Sequence, residues 1–245
     1  MTDWVGKRYW IVGASEGLGR EVAKKIAAAG AHVIVSARST ERLQTLVDEI
    51  GDAASLVTVD VSNLKAVEDA AAQVGQIDGV VYLAGVYWPM KASEWNNEKA
   101  DMMGQINYLG GSRVVGAVIG QMVDRDAGHV VLTGSLSGFR GLPGAIGYCA
   151  SKAGLMAMAE SMQADLHKTG VRVQVINPGF IKTRLTEKND FQMPFIMDAN
   201  AAAQIFFDHM DKGGFKRSFP TVFSWLFRGS QFMPDWMYYR LFGAK

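Results

Sequence analysis

Tyr148 and Lys152 stand four residues apart in a stretch whose apolar residues recur at three- and four-residue intervals, so a helix would project both from one face. A cation beside a phenol favours the phenolate and draws its pKa toward the range useful for proton transfer. Upstream, an apolar run closes on Thr133-Gly134-Ser135-Leu136-Ser137-Gly138, which sets hydroxyls at the end of a strand. In an open α/β sheet, ligands bind beyond the carboxyl ends of the strands. A phenol, an ammonium and a hydroxyl gathered there would suit the movement of a proton to or from a substrate oxygen.

A second group of residues suits a phosphate. The first apolar run ends at Val12 and enters Gly13-Ala14-Ser15-Glu16-Gly17-Leu18-Gly19, after which a helical pattern begins. Glycine at 13 permits a tight turn, and the missing side chains at 17 and 19 let a pyrophosphate approach the backbone. The helix start offers free N–H groups and a partial positive charge. The spacing is Gly-x-x-x-Gly-x-Gly, not the common Gly-x-Gly-x-x-Gly, and Ser15, Glu16 and Leu18 complete the turn. The second run ends in Ser36-Ala37-Arg38-Ser39, with no Asp or Glu between Gly30 and Thr40. An acidic residue there would hold ribose hydroxyls, whereas an arginine suits a 2′-phosphate, so NADP(H) is favoured over NAD(H). Asp60, followed by Val61, closes the third run. It could reach an adenine amino group or cap the next helix, a task open also to Ser62 and Asn63.

These groups need a frame. Six short runs, at 8–12, 32–37, 55–60, 79–84, 129–133 and 172–177, are apolar on both faces and bounded by Gly, Asp, Asn or Ser, as strands buried between helical layers should be. Helical patterns at 18–29, 41–50, 64–74, 106–123 and 148–167 alternate with them. Parallel strands require crossovers, so the chain reads as α/β: a single-domain, Rossmann-like, doubly wound parallel sheet over 1–245 with helices on both faces. Pro178 and Gly179 break the alternation. An irregular stretch, 180–198, holds Phe180, Phe191, Met193, Phe195 and Met197 and is expected to act as a substrate lid. A helix over 199–210 and a short strand near 218–223 are expected beyond it.

With 25 Lys+Arg against 24 Asp+Glu, the net charge of +1 lacks the electrostatic footprint of a nucleic-acid binder. The single cysteine, Cys149, excludes an internal disulfide, and the four histidines lack metal-ligand spacing, so no metal site is expected. Without a signal-like start or a spanning apolar run, a cytoplasmic protein is expected. The neutral total conceals a polarised chain. From Lys212 onward six Lys+Arg face one acid, Asp235, so that segment carries +5 and the rest −4. Twelve of the 25 aromatics lie from Phe206 onward. Three readings of this aromatic, basic extension (212–245) stand open: short helices packed on the domain, a dimer surface, or membrane-surface contact that would make the protein membrane-associated.

In combination these motifs resemble the short-chain dehydrogenase/reductase family of NAD(P)-dependent oxidoreductases. The glycine turn matches at Gly13, Gly17 and Gly19, and the strand-end aspartate at Asp60. An Ala84-Gly85 remnant of the family's Asn-Asn-Ala-Gly segment follows, then a helical asparagine at Asn107 and a serine at Ser135, thirteen before Tyr148. Lys152 and Pro178-Gly179-Phe180-Ile181-Lys182-Thr183 complete a set spanning roughly residues 8 to 185. The four-residue Tyr–Lys spacing separates the chain from the family's enoyl reductases, which use a longer one. The resemblance implies interconversion of a carbonyl and an alcohol by hydride transfer. Tyr148 would act as general acid/base and Lys152 would depress its pKa and bind the nicotinamide ribose. Ser135 would hold the substrate oxygen, Asn107 would anchor a water passing protons outward, and Ile181 and Thr183 would fix the carboxamide. It implies a homodimer or homotetramer as well. Substrate contacts are expected from Ser135, Tyr148, Trp88 in the loop after the fourth strand, the segment 139–146, and Phe180, favouring an apolar ketone or aldehyde. Two other functions remain open: a non-catalytic NAD(P)-sensing regulator on the same fold, and a reductase of lipid substrates at a membrane surface.

The departures from the family pattern are specific. Val12 replaces a threonine, and Tyr82 and Leu83 replace both asparagines, so bonds that stabilise the central sheet are expected to be lost. Glu16 stands where many NADP-preferring members carry a base. The terminal segment lacks the family's tetramer-building Gly-Gln and Val-Asp-Gly-Gly pattern.

Overall fold

The computed structural model describes residues 2–188 and 193–243; Met1, Phe191 and Lys245 lie outside the described residues. The chain runs β1 (Arg8–Val12), α1 (Gly17–Ala28), β2 (His32–Ser36), α2 (Thr40–Ile50), β3 (Ala54–Leu56), α3 (Leu64–Val74) and β4 (Gly79–Tyr82). Then come α4 (Asn97–Gly104), α5 (Gly110–Asp124), β5 (Gly128–Thr133), α6 (Ile146–Leu166), β6 (Val171–Pro178), α7 (Ala199–Lys212), β7 (Lys216–Phe219), α8 (Thr221–Ser230) and α9 (Asp235–Phe242). Seven strands pair in parallel in the order β3-β2-β1-β4-β5-β6-β7. The sequence direction reverses between β1 and β4, which opens a crevice beyond the ends of those two strands.

Alternation along the strands feeds two cores. Tyr9 and Ile11 point into a layer with Val22 and Ile26 of α1, Leu43 of α2 and Phe206 of α7. Trp10 and Val12 point the other way, toward Val67 of α3, Val114 of α5 and Leu155 of α6. Burial on both faces explains why these runs read as continuous apolar stretches.

The boundaries differ from the sequence expectation where the chain leaves the sheet to line the crevice. β3 ends at Leu56 and not Asp60, although the Val57 and Val59 N–H groups still bond Val35 O and Ala37 O at 3.1 Å each. β4 ends at Tyr82 and not Ala84. The short strand expected near 218–223 lies at Lys216–Phe219, closed by Pro220. α4 has no counterpart in the sequence reading, because only Met103 of that helix is buried and no apolar stripe marks it.

The helix expected over 106–123 is interrupted. Gln105–Leu109 forms a π-helical turn between α4 and α5, in which the Gly110 N–H reaches back five residues to Gln105 O. Tyr82, fully buried at the end of β4, donates its hydroxyl proton to Ile106 O at 2.5 Å. Space for that ring comes from Gly110, where a Cβ would lie 2.4 Å from the Tyr82 hydroxyl. The asparagine bonds missing at positions 82 and 83 are thus replaced by one from the tyrosine to the π turn that carries Asn107.

Tyr82→Phe keeps the ring and strands the Ile106 carbonyl in the core. It should lower unfolding free energy by about 1–3 kcal/mol in urea denaturation. An unchanged midpoint and slope would show that the hydroxyl bond is not needed to hold the turn.

Candidate active site

The crevice beyond β1 and β4 is a cleft of about 320 Å³, within the size range of small-molecule sites. Its wall includes every residue expected at a dinucleotide: Gly13, Ser15, Glu16, Gly17, Leu18, Gly19, Arg38, Asp60, Val61, Ala84, Gly85, Tyr148, Lys152, Pro178, Gly179, Ile181 and Thr183. The cradle fits such a ligand. A Cβ on Gly17 would lie 2.7 Å from the Thr183 side chain, and φ at Gly13 and Gly17 is +96° and +55°, so side chains are excluded there. Glu16, at the N-cap of α1, makes no side-chain cap bond and leaves the first-turn N–H groups open to the cleft. Its carboxylate instead pairs with Arg42 and Arg184, each at 2.9 Å. The acid that stood against a 2′-phosphate is therefore countered by two guanidinium groups.

Capping of α3 falls to Asn63, which accepts from Ala66 N at 3.1 Å, so Asp60 is free to face the cleft. Burial pushes the Asp60 carboxyl up. Hydrogen bonds from the Ser62 side chain and backbone, with Arg38 and Arg113 nearby, outweigh that and hold it below the usual carboxylate range. Arg42 and Arg184 escaped the sequence reading. Arg42 lies within the helix that Ser39 caps, and its position four after Arg38 was the available signal.

Tyr148 and Lys152 occupy the first turns of α6, as their spacing requires. Lys152 is buried, and its ammonium donates to Thr133 O at 2.7 Å while lying 5.9 Å from the centre of the Tyr148 ring. Burial brings the Lys152 pKa down to about 8. Desolvation pushes the Tyr148 phenol up to about 12, against a hydrogen bond from Ser135 that lowers it. In the ligand-free site enclosure is the larger influence on the phenol, and Ser135 opposes it.

Asn107 is fully buried in the π turn. Its Oδ1 accepts from Val86 N at 2.7 Å, and its amide donates to Val86 O at 2.9 Å and to Ser151 Oγ at 3.0 Å. Ser151 in turn donates to Tyr148 O at 2.9 Å. The amide is thus committed to fixing the loop after β4 against α6. Ser151, missed in the sequence, sits three residues past Tyr148 on the same helix face.

The surroundings of Tyr148 on the side expected to meet substrate are apolar. Tyr87 packs edge-on against Tyr148 with ring centres 5.2 Å apart, and Ala145, Cys149, Leu142 and Leu185 join them. Trp88, next along the loop, and Phe180 are both half-buried. Ile181 bridges to Met197, which closes the base of the expected lid. Phe180 and Phe195 of that segment lie 6.1 and 5.3 Å from Phe223 of α8. The extension therefore packs as two short helices beside the site. Arg140 helps to hold it: its guanidinium stacks on Tyr238 at 3.9 Å and donates to Met233 O at 2.9 Å, to Ser230 O and to Asp235 at 2.6 Å. Among the described residues no three His, Cys, Asp or Glu side chains gather as metal ligands would.

The model of the short chain dehydrogenase family matches residues 7–193. An uncharacterized oxidoreductase of Myxococcus xanthus strain DK1622 is 37% identical over 232 residues, 92% of each chain. A 3-oxoacyl-(acyl-carrier-protein) reductase of Rickettsia bellii strain RML369-C is 32% identical over 193 residues, 78% of this chain and 80% of that protein. Among solved structures, a serine dehydrogenase in its closed form, complexed with NADP+, superposes with a TM-score of 0.78 at 25% identity, covering 86% of this chain and 93% of its own. The glycine turn, the strand order and the Tyr148–Lys152 helix have one origin: this chain belongs to the short chain dehydrogenases, a family of oxidoreductases.

Proposed function

We propose that the protein is an NADP(H)-dependent oxidoreductase that interconverts an apolar ketone or aldehyde and its alcohol, with reduction the favoured direction. The observation that carries this reading is a glycine-turn cleft lined both by Tyr148 and Lys152, with Ser135 beside the phenol, and by Arg38 and Arg42. Gly13, Gly17 and Gly19 would take the pyrophosphate and Arg38 and Arg42 a 2′-phosphate. Lys152 would hold the nicotinamide ribose, and Ile181 and Thr183 the carboxamide. When bound, the dinucleotide supplies the hydride for the carbonyl carbon. Tyr148 passes its hydroxyl proton to the carbonyl oxygen, which Ser135 holds in place. The phenolate so formed faces the Lys152 ammonium, which offsets its charge. Asn107 acts at one remove, by fixing Val86 and the start of α6. The apolar lining of Tyr87, Leu142 and Leu185 excludes water and admits an apolar substrate.

Tyr148→Phe should lower kcat by about 10²–10⁴ in a carbonyl panel while NADPH binding, followed by fluorescence, persists. Tight binding with no turnover by the unaltered protein would instead mean a dinucleotide sensor. The reducing reaction needs the Lys152 ammonium, which a pKa of about 8 keeps charged below that pH. Reductive kcat/KM should therefore be level on the acid side and fall about tenfold per unit above it, reaching this slope beyond the pKa. A profile level through that range would remove the Lys152 charge from the mechanism. Arg38→Ala should raise KM for NADPH by about tenfold or more and change that for NADH by less than about twofold. Equal effects on the two would assign Arg38 to the adenosine common to both.

A further inference from the structure

The helices α8 and α9 each have two contrasting faces. On α8, Ser224 and Ser230 are buried and Phe223 and Phe227 half-buried, whereas Val222, Trp225 and Leu226 are exposed at i, i+3 and i+4. On α9, Tyr238 is buried, while Trp236 and Tyr239 stand out three residues apart. Phe232, in the turn joining the helices, is 88% exposed. Arg228 and Arg240 fall on these outer stripes, three residues after Trp225 and four after Trp236. The one acid between Thr221 and Phe242 is Asp235, and it is paired with Arg140.

From this arrangement we infer that the outer face of α8, α9 and their connecting turn is a docking surface for an anionic lipid bilayer. Isolated exposed apolar residues are ordinary, but a clustered set on two neighbouring helices marks an interaction site. Tryptophan and tyrosine, with an apolar body and a polar edge, suit the headgroup boundary. The two unpaired-in-sequence arginines of the stripes would meet lipid phosphates, each adding about fivefold to binding near an anionic surface. A second copy of the chain fits less well. A two-fold interface sets the same patch against itself, and here that would bring the arginines of both copies together with no free carboxylate between them. The contact is lateral, because no helix among the described residues is long and apolar enough to cross a membrane. Rigidity comes from the inner faces, where Arg140 binds Ser230 O, Met233 O and Asp235, and the Tyr238 hydroxyl donates to Gly141 O at 2.5 Å.

The test is co-sedimentation of the full-length protein with vesicles of phosphatidylcholine mixed with phosphatidylglycerol, in the absence of any carbonyl substrate. Binding is expected, weaker on phosphatidylcholine alone and reduced by salt. The triple variant Trp225→Ser/Phe232→Ser/Trp236→Ser should bind about tenfold or more weakly, with its circular dichroism unchanged. The pair Arg228→Gln/Arg240→Gln should lose affinity for the mixed vesicles and little for the neutral ones. No co-sedimentation of the unaltered protein, or equal binding by the triple variant, would overturn the inference. So would a dimer in light scattering that the triple variant dissociates while vesicles bind neither form, since a second copy would then cover the face. Carbonyl turnover in solution, measured separately, tests the catalytic reading without bearing on this one.

Discussion

Everything at the functional end of the sheet hangs on the close approach of three backbone segments around Gly13. A Cβ at Gly13 would lie 2.3 Å from Ala84 N, and one at Gly19 would lie 2.1 Å from Gly13 O. Gly13 N and Ala14 N both bond Ser36 O, and Leu83 N bonds Val12 O at 2.7 Å. The ends of β1, β2 and β4 and the start of α1 are thereby fixed at van der Waals contact. Backbone cannot yield as a side chain can, so a methyl group at 13 or 19 would push the helix from the sheet. The same contact that packs α1 also leaves its first N–H groups bare at the floor of the cleft. Fold stability and the proposed phosphate recognition would draw on one geometry here.

At the other end of the cleft the governing effect is desolvation. Lys152 is buried with a neutral carbonyl, Thr133 O, as its hydrogen-bond partner, and enclosure also disfavours charge on Tyr148. Each charge alone is costly in such a place. Together they are less so. On the proposed mechanism, in which Tyr148 gives up its proton, the phenolate would become a counter-charge for the ammonium, and the enclosure that opposed each charge would strengthen their attraction. Such an arrangement would resist charge at rest and accept the pair that proton transfer creates. In the ligand-free site Ser135, on the same phenol, acts against the enclosure and favours the ionised form.

Much of this was legible because the relevant signals are local. Strands apolar on both faces announced a covered parallel sheet, and the glycine turn and Tyr148–Lys152 pair announced the two ends of the cleft. The features that escaped are those where a non-local partner decides. An inserted residue in a helix leaves the apolar period nearly intact, so the π turn at 105–109 reads as ordinary helix until Tyr82 is seen to fill the space beside Gly110. The role of Asn107 could be matched by position, but its partners, the backbone of Val86 and the hydroxyl of Ser151, come from a loop and a helix far along the chain. Glu16 looked adverse to a phosphorylated cofactor because Arg42 and Arg184 reach it only in the folded state.

The extension shows how the apolar wall around Tyr148 can differ while the glycine turn stays fixed. Arg140 spends its guanidinium on two carbonyls, a carboxylate and the face of Tyr238. That ties α8 and α9 to the segment just before α6, and Phe223 of α8 meets Phe180 and Phe195 beyond β6. The glycine turn is held instead by backbone contacts among β1, β2, β4 and α1. A different terminal segment would therefore reshape the apolar wall around Tyr148 with little consequence for the phosphate end. The division follows from the sheet itself: α1 is locked by backbone at the switch point and β7 by its ladder to β6, whereas α8 and α9 are held to the body by side chains such as Arg140, Tyr238 and Phe223, and side chains are what sequence change replaces most readily.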